Sequence, residues 1–129
     1  MIQSIEIWKT LLEREKSLEQ KRADHLQIVD QLYADDIVQV ENGHETIHGK
    51  ANLRAMESDN LDKVNWVKTK VKNLVFDEAK SMLWAELRVD FETKEGVRKV
   101  LLESVFQQWE NGKIKVQKFY YGPIKTTEE

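Results

Sequence analysis

A carboxylate beside a tight turn is the residue of this sequence best suited to chemistry. Glu41 ends the apolar segment that begins at Ile37, and Asn42-Gly43 follows it directly. A carboxyl group on a strand that faces an apolar interior can take and return a proton, provided that partial desolvation raises its pKa. The competing interpretation is a hairpin end, with Glu41 in solvent or hydrogen-bonded to the turn. We therefore treat Glu41 as a candidate pocket carboxylate.

Histidines near the same turn could suggest a metal site, but their spacing argues against one. His44 and His48 lie close in sequence to Glu41 and Glu45. Side chains alternate between the two faces of a strand, so the histidines share a face only if the strand runs unbroken to Gly49. The sequence has no HExxH pattern and no cysteine. We expect no metal ion and no other cofactor.

The elements that position these residues follow from the hydrophobic pattern. Apolar residues at three- and four-residue spacings predict one helix over residues 2–20. A second helix is predicted over residues 24–33, with Asp24 as its N-cap. Asn42-Gly43 is the strongest two-residue hairpin signal, because both positions need a positive φ. A third, short helix is predicted over residues 50–57.

The C-terminal half of the sequence alternates between apolar and polar residues, which is typical of β-strands. Four strands are predicted, over residues 64–76, 82–91, 97–109 and 113–121, and a polar, mobile tail over residues 125–129. Helices segregated from an antiparallel sheet make an α+β domain. Because long strands twist and curl, we predict a cone-shaped barrel. It is a curved mixed or antiparallel sheet, closed by three N-terminal helices, with a pocket at its open end.

Size and charge limit the classes of function. A chain of 129 residues predicts one domain, over residues 1–129. The net charge of −3 argues against binding nucleic acid, which usually requires a basic face. No apolar run approaches the roughly 18 residues of a membrane span, and residues 1–16 do not resemble a signal peptide. Since the absence of cysteine fits a reducing compartment, we expect a cytoplasmic protein that binds neither nucleic acid nor membrane.

Three short motifs resemble a known family. Tyr33-Ala34-Asp35-Asp36 leads into a strand, Ile47-His48-Gly49 opens a helix, and Gly112-Lys113-Ile114 lies in the last hairpin. With the order of elements from Trp8 to Tyr121, they resemble the nuclear transport factor 2-like superfamily, and within it the SnoaL-like polyketide cyclases and bacterial ketosteroid isomerases. The resemblance implies a pocket for a small, largely apolar ligand. It also places Glu41 where the isomerases carry a proton-shuttling carboxylate.

The sequence departs from the ketosteroid isomerases at the groups that bind their oxyanion. The segment that should supply a tyrosine from the first helix, residues 11–21, contains none. The protonated aspartate of their penultimate strand corresponds to Glu103 or Val105, and the tyrosine of their third helix corresponds to Glu57. Without two donors aimed at the developing oxyanion, the main catalytic contribution of that mechanism is missing. Steroid isomerisation is not expected, whereas other acid/base isomerase or cyclase chemistry stays open.

The resemblance also suggests which residues line the pocket. If Trp109 points inward, as aromatic residues before this hairpin tend to in the family, Glu103 points inward with it. Two carboxylates in one pocket of low dielectric raise the pKa of one of them, so Glu103 near Glu41 would favour a general acid. The expected pocket residues are Trp8, Tyr33, Met56, Glu103, Val105, Gln107, Trp109, Phe119 and Tyr121.

The strand over residues 82–91 can turn either of its faces to the interior. The set Leu83-Ala85-Leu87 is favoured over Trp84-Glu86-Arg88, because a continuous apolar face usually marks the core. A tryptophan on the outer face would mark a dimer interface, since a large exposed aromatic surface is usually covered by a partner. We therefore predict a homodimer through the sheet face. The competing function is a non-catalytic dimeric binding or accessory module whose pocket is vestigial.

Overall fold

The computed structural model describes residues 2–127, which form three helices and a seven-stranded sheet. In chain order the elements are α1 (Ile2–Glu13), α2 (Leu18–Leu32), β1 (Tyr33–Glu41), β2 (Glu45–His48), α3 (Lys50–Asp62), β3 (Val64–Asp77), β4 (Met82–Thr93), β5 (Arg98–Glu110), β6 (Lys113–Tyr121) and β7 (Lys125–Thr126). The strand order is β2-β1-β6-β5-β4-β3, and β7 pairs with β5 outside this path. Strands β1 and β6 run parallel and the other pairs run antiparallel, so the sheet is mixed.

The α+β class and the curved, mixed sheet agree with the prediction from the sequence. The arrangement of the helices differs from it. The predicted order of two helices, a hairpin and a third helix is present, but only α1 and α2 precede the sheet in the chain, so the description as three N-terminal helices holds for two of them. The described strands do not close into a barrel, because β2 and β3 are free edges of the path. The helices cover one face of an open sheet instead.

Both Asn-Gly pairs of the sequence form tight turns between strands. The φ angles are 51° and 77° in Asn42-Gly43 and 53° and 75° in Asn111-Gly112. Glycine adopts a positive φ without strain, and asparagine tolerates it better than most residues. These pairs therefore determine where β1 turns into β2 and where β5 turns into β6. The first turn fixes the register in which Glu41, at the end of β1, lies opposite Glu45.

The single helix predicted over residues 2–20 is divided into α1 and α2 by the connection 14–17. Ser17 begins α2, and its side-chain oxygen accepts a hydrogen bond from the backbone N of Gln20 at 3.3 Å. The other residues of the connection are good helix formers. Their types therefore give no sign of the break, and the sequence-based prediction missed it.

Asp24, predicted as the N-cap of the second helix, lies inside α2 and is buried. It accepts hydrogen bonds from Arg14 Nε at 3.1 Å and from Gln20 Nε2 at 3.0 Å, and a further one from Arg14 Nη2. The hydrogen bonds from Arg14 hold the pKa of Asp24 below its ordinary value. Lys21, also buried, donates from Nζ to the carbonyl oxygens of Leu12 at 2.8 Å and Arg14 at 3.0 Å. Charged side chains thus satisfy backbone groups at the end of α1 and bind it to α2.

The inner face of the sheet carries the hydrophobic core. The buried members of β4 are Leu83, Ala85 and Leu87, whereas Trp84 is 49% exposed on the outer face. The apolar set predicted to face inward is therefore confirmed. The helices cover this face and contribute Trp8, Leu32 and Leu53 to the same core.

The end of the chain differs from the predicted tail. Lys125 and Thr126 form β7 and pair with Val100 and Lys99 of β5. Residues 128–129 of the predicted tail lie outside the described part of the chain. Among residues 2–127, no helix is long and apolar enough to cross a membrane.

The buried charges between α1 and α2 make the first testable prediction. Asp24→Ala should lower the free energy of unfolding by at least about 2 kcal/mol, because it removes the buried acceptor of Arg14 and Gln20 and leaves buried Lys21 without the neighbouring negative charge. The pKa of Asp24 is lowered in the folded state, so its contribution is present above about pH 4 and is lost as the pH falls further. Urea unfolding over this pH range measures both effects.

The matched control is Asp36→Ala, which removes an exposed pair with Lys115. Its effect should be much smaller, because exposed ion pairs contribute little. Equal effects of the two substitutions would show that the buried cluster has no special role in joining α1 to α2.

Candidate functional site

A cavity of about 560 Å³ lies between the helices and the inner face of the sheet. Most of its wall is apolar. The helices contribute Trp8, Ile28 and Met56, and the sheet contributes Leu87 and Phe119. A cavity of this size and composition suits a small organic ligand.

Carboxylates from three different elements stand on this wall. Glu41 comes from β1, Glu103 from β5 and Glu57 from α3. Strand β6 separates the first two, since Glu41 pairs with Phe119 and Glu103 pairs with Tyr121. Their strands are therefore about 10 Å apart across the sheet, which is twice the usual strand spacing. The sheet brings together two acids that are far apart in the sequence.

Glu41 is held by hydrogen bonds from two neighbours. Tyr121 donates from Oη to Glu41 Oε1 at 2.6 Å, and Gln39 donates from Nε2 to Glu41 Oε2 at 3.0 Å. The hydrogen bond to Glu41 raises the pKa of Tyr121 to about 12, so its hydroxyl stays protonated and keeps donating. Glu41 is thus both the end of the hairpin and part of the cavity wall. Each of the two interpretations from the sequence describes part of its position.

Glu103 has a different environment. It is half-buried, and within residues 2–127 its carboxyl group has no side-chain hydrogen bond. Burial, the charge of Glu41 and the charge of Glu57 raise the pKa of Glu103 to about 7, from an ordinary 4.5. This carboxyl group can therefore both give and take a proton near neutral pH, which is what a general acid/base needs.

A chain of buried hydrogen bonds leads from the core towards Glu41. Trp109 donates from Nε1 to Gln107 Oε1 at 3.0 Å, and Gln107 donates from Nε2 to Gln117 Oε1 at 2.7 Å. Gln117 in turn donates from Nε2 to Gln39 Oε1 at 3.0 Å. Gln39 then donates to Glu41, so four hydrogen bonds link the indole to the carboxylate.

Tyr33 joins this chain from the side. Gln117 Nε2 also donates to Tyr33 Oη, at 2.9 Å. Burial and the charge of Glu57 raise the pKa of Tyr33 well above its ordinary value, so the hydroxyl keeps its proton. Its oxygen accepts from Gln117, which leaves its proton available to an acceptor in the cavity.

The structure brings together most of the residues that the sequence suggested for the pocket. Those that line the cavity are Trp8, Tyr33, Glu41, Met56, Glu103, Phe119 and Tyr121. Val105, Gln107 and Trp109 were wrong as lining residues, although they are on the same face of β5 as Glu103. They are at most 1% exposed, because this half of β5 lies beneath the helices in the core. Their place is under the cavity and not on its wall.

The sequence-based prediction missed a histidine and did not place Glu57 in the pocket. His25 Nδ1 lies 2.6 Å from Glu57 Oε1, and both side chains line the cavity. His25 Nε2 is buried and has no hydrogen-bond partner among residues 2–127. The two residues come from α2 and α3, and no local pattern indicates that they meet. In the described part of the chain, no three histidine or acidic side chains are placed to hold a metal ion.

Comparison with known proteins identifies the fold. No family model matches the sequence, and no curated protein is significantly similar to it. A nuclear transport factor 2-like protein of unknown function from Exiguobacterium sp. 255-15 matches 92% of this chain and 98% of its own, with 15% identity and a TM-score of 0.74. The epoxide hydrolase/cyclase-like enzyme SalBIII, described with a role in pyran ring formation in salinomycin, matches 98% and 97%, with 13% identity and a TM-score of 0.75.

A third structure is a hypothetical protein with a ketosteroid isomerase-like fold from Catenulispora acidiphila DSM 44928, in complex with trimethylamine. It matches 92% of this chain and 85% of its own, with 11% identity and a TM-score of 0.66. Together the comparisons show that the chain has the nuclear transport factor 2-like fold, as the resemblance of its motifs implies. At these identities the similarity shows the fold alone.

The raised pKa of Glu103 makes a prediction about stability. Between pH 4.5 and about 7, the folded chain keeps a proton on Glu103 that the unfolded chain has released. The free energy of unfolding should therefore fall as the pH rises through this window. Glu103→Gln removes this titratable group, so the variant should not lose stability in this way as the pH rises. The melting temperature of the variant minus that of the wild type should therefore be larger at about pH 8 than at about pH 5.

Glu45→Gln is the control, because Glu45 is exposed on β2. Its melting temperature should follow that of the wild type at both pH values. A Glu103→Gln variant with the same pH dependence as the wild type would contradict the assigned environment of Glu103.

Proposed function

We propose that the protein binds a small, largely apolar ligand in this cavity and moves a proton on it, without a cofactor. One observation carries the proposal. Glu103 lies in an apolar cavity with its pKa raised to about 7, and the hydrogen-bonded Glu41 lies across β6 from it. A general acid/base works best when its pKa is near the working pH.

The two carboxylates would have different roles. Glu103 has no side-chain hydrogen bond in the described residues, so its carboxyl group is available to exchange a proton with a ligand. Glu41 accepts from Tyr121 and Gln39, a pattern that suits a carboxylate in a fixed orientation. In a ligand with a carbonyl group, Glu103 would remove a proton from the adjacent carbon and return it elsewhere. Glu41 would act as the second acid/base, or raise the basicity of Glu103 through its charge.

Similar structures support the class of the proposal without fixing the reaction. SalBIII is described as epoxide hydrolase/cyclase-like, and the Catenulispora protein holds a small organic molecule. An isomerase- or cyclase-like reaction is consistent with both. The cytoplasmic location and the absence of nucleic-acid binding remain predictions from the sequence.

The outer face of the sheet supports a second proposal, a homodimer. Trp84 on β4 packs against Phe106 on β5, with ring centroids 5.1 Å apart, and against Tyr120 on β6, at 6.4 Å. Trp84 is 49% exposed, Tyr120 41% and Leu102 on the same face 59%. Aromatic and aliphatic side chains exposed together on one face favour association with a second copy. A binding module without catalysis would use the same dimer.

Proton transfer can be tested before the natural ligand is known. A panel of small cyclic ketones is incubated with the protein in deuterated water, and NMR follows exchange at the carbon next to the carbonyl. We expect exchange with at least one ketone. Glu103→Gln and Glu41→Gln should each slow it by about 100-fold or more, which is the usual range for general acid/base catalysis.

Glu45→Gln provides the matched control and should keep the wild-type rate, since Glu45 does not line the cavity. Circular dichroism of each variant checks folding. If both cavity variants exchange as fast as the wild type, the proposed roles of the carboxylates are wrong.

The dimer is tested by sedimentation equilibrium. Trp84→Glu places a charge in the centre of the apolar face and should raise the dimer dissociation constant by about 30-fold or more, as loss of an interface hot spot does. Lys80→Glu, on the exposed turn before β4, should leave association unchanged. A wild-type protein that is monomeric at micromolar concentration would rule out this interface.

A further inference from the structure

Most of the charged groups on the cavity wall are carboxylates. Three carboxylates line it, those of Glu41, Glu57 and Glu103. Among the described residues of the wall, only Lys63 carries a permanent positive charge, and Lys63 is exposed at the end of α3. Solvent therefore screens the lysine more than the carboxylates deeper in the wall. A ligand in this cavity meets a negative potential.

The hydrogen-bonding groups of the wall have the same bias towards acceptors. Glu103 has no side-chain hydrogen bond among the described residues. Glu57 Oε1 lies 2.6 Å from His25 Nδ1. Each carboxyl oxygen can accept more than one hydrogen bond, so both groups have acceptor capacity left for a ligand.

The apolar part of the wall is suited to a cation as well. Trp8, Phe91 and Phe119 line the cavity together with Tyr33 and Tyr121. Aromatic rings attract cations to their faces, and the attraction is strongest where water is excluded. The same rings bury the apolar body of a ligand.

From the charge of the wall, its acceptor capacity and its aromatic rings, we infer that the ligand of this cavity is an organic cation. The chemical class is a protonated amine on an apolar body. The inference rests on the proposed ligand-binding function and makes it more specific. The ammonium N–H groups donate to Glu103 and Glu57, and the apolar body lies against the aromatic wall.

Proton linkage separates this class from neutral ligands. A cation beside Glu103 stabilises its carboxylate and expels its proton. Since the pKa of Glu103 is about 7 in the free protein, amine affinity should rise as the pH passes through neutrality. A neutral carbonyl compound accepts a hydrogen bond from protonated Glu103, so its affinity should fall over the same range.

The test uses ligands that share one apolar body and differ in charge. Cyclohexylmethylamine, cyclohexylmethanol and cyclohexanecarboxylate are titrated into the protein by calorimetry at about pH 6 and about pH 8, and the same set is repeated with a benzyl body. We expect the amine to bind at least about 10-fold more tightly than the alcohol, which corresponds to about 1.4 kcal/mol. We expect no measurable binding of the carboxylate. Titration in two buffers of different ionisation enthalpy should detect release of a proton when the amine binds.

Substitutions in the cavity wall test which carboxyl groups produce the preference for the amine and its dependence on pH. Glu57→Gln should weaken the amine about 10-fold, in line with the loss of one close charge interaction. Glu103→Gln should remove the dependence of amine affinity on pH, and Glu45→Gln should change neither property.

The possible failures are distinguishable. If the alcohol binds as tightly as the amine, or if amine affinity falls with pH, the cationic class is wrong while the cavity remains a ligand site. If none of the amines, alcohols or carboxylates binds, the proposed ligand-binding function fails together with the inference.

Discussion

The inner face of the sheet depends on one directed hydrogen-bond chain, which runs from Trp109 through three glutamines to Glu41. An indole N–H can only donate and a carboxylate can only accept, so the two ends impose one orientation on every amide between them. Reversing one amide would place like groups against each other in a buried site, at a cost of about 1–3 kcal/mol. The wall that holds Glu41 is therefore organised before any ligand arrives.

Strand β5 links this organised core to the cavity. Val105, Gln107 and Trp109 are covered by the helices, whereas Glu103, on the same face, lines the cavity. The packed half of the strand fixes the backbone from which Glu103 projects. An apolar environment that disfavours the Glu103 carboxylate can therefore persist, because the surrounding sheet is stabilised by its core. Functional sites commonly have such local costs, offset by the rest of the fold.

Features set by residues close together in the sequence could be predicted, whereas contacts between residues far apart in the sequence could not. The Asn-Gly turns and the alternation of apolar and polar residues in β4 each involve only a few neighbouring residues, so they could be recognised in the sequence. The break between α1 and α2 was not, because helix formers continue through it and Lys21 and Asp24, usually surface residues, stabilise it from inside. The contact of His25 with Glu57 joins positions 32 residues apart on two helices. The inner face of β5 was predictable, but the point where it leaves the core depends on how far the helices extend over it.

The position of Glu57 makes the acidity of the site depend on helix packing. Glu41 and Glu103 are fixed relative to each other by the strand pairs on both sides of β6. Glu57 acts on Glu103 from α3, which belongs to a different layer. The spacing of the first two charges is therefore set by backbone hydrogen bonds, whereas that of the third is set by side-chain packing, which is easier to change. The raised pKa of Glu103 thus depends both on the pairing of the strands and on the packing of α3 against the sheet.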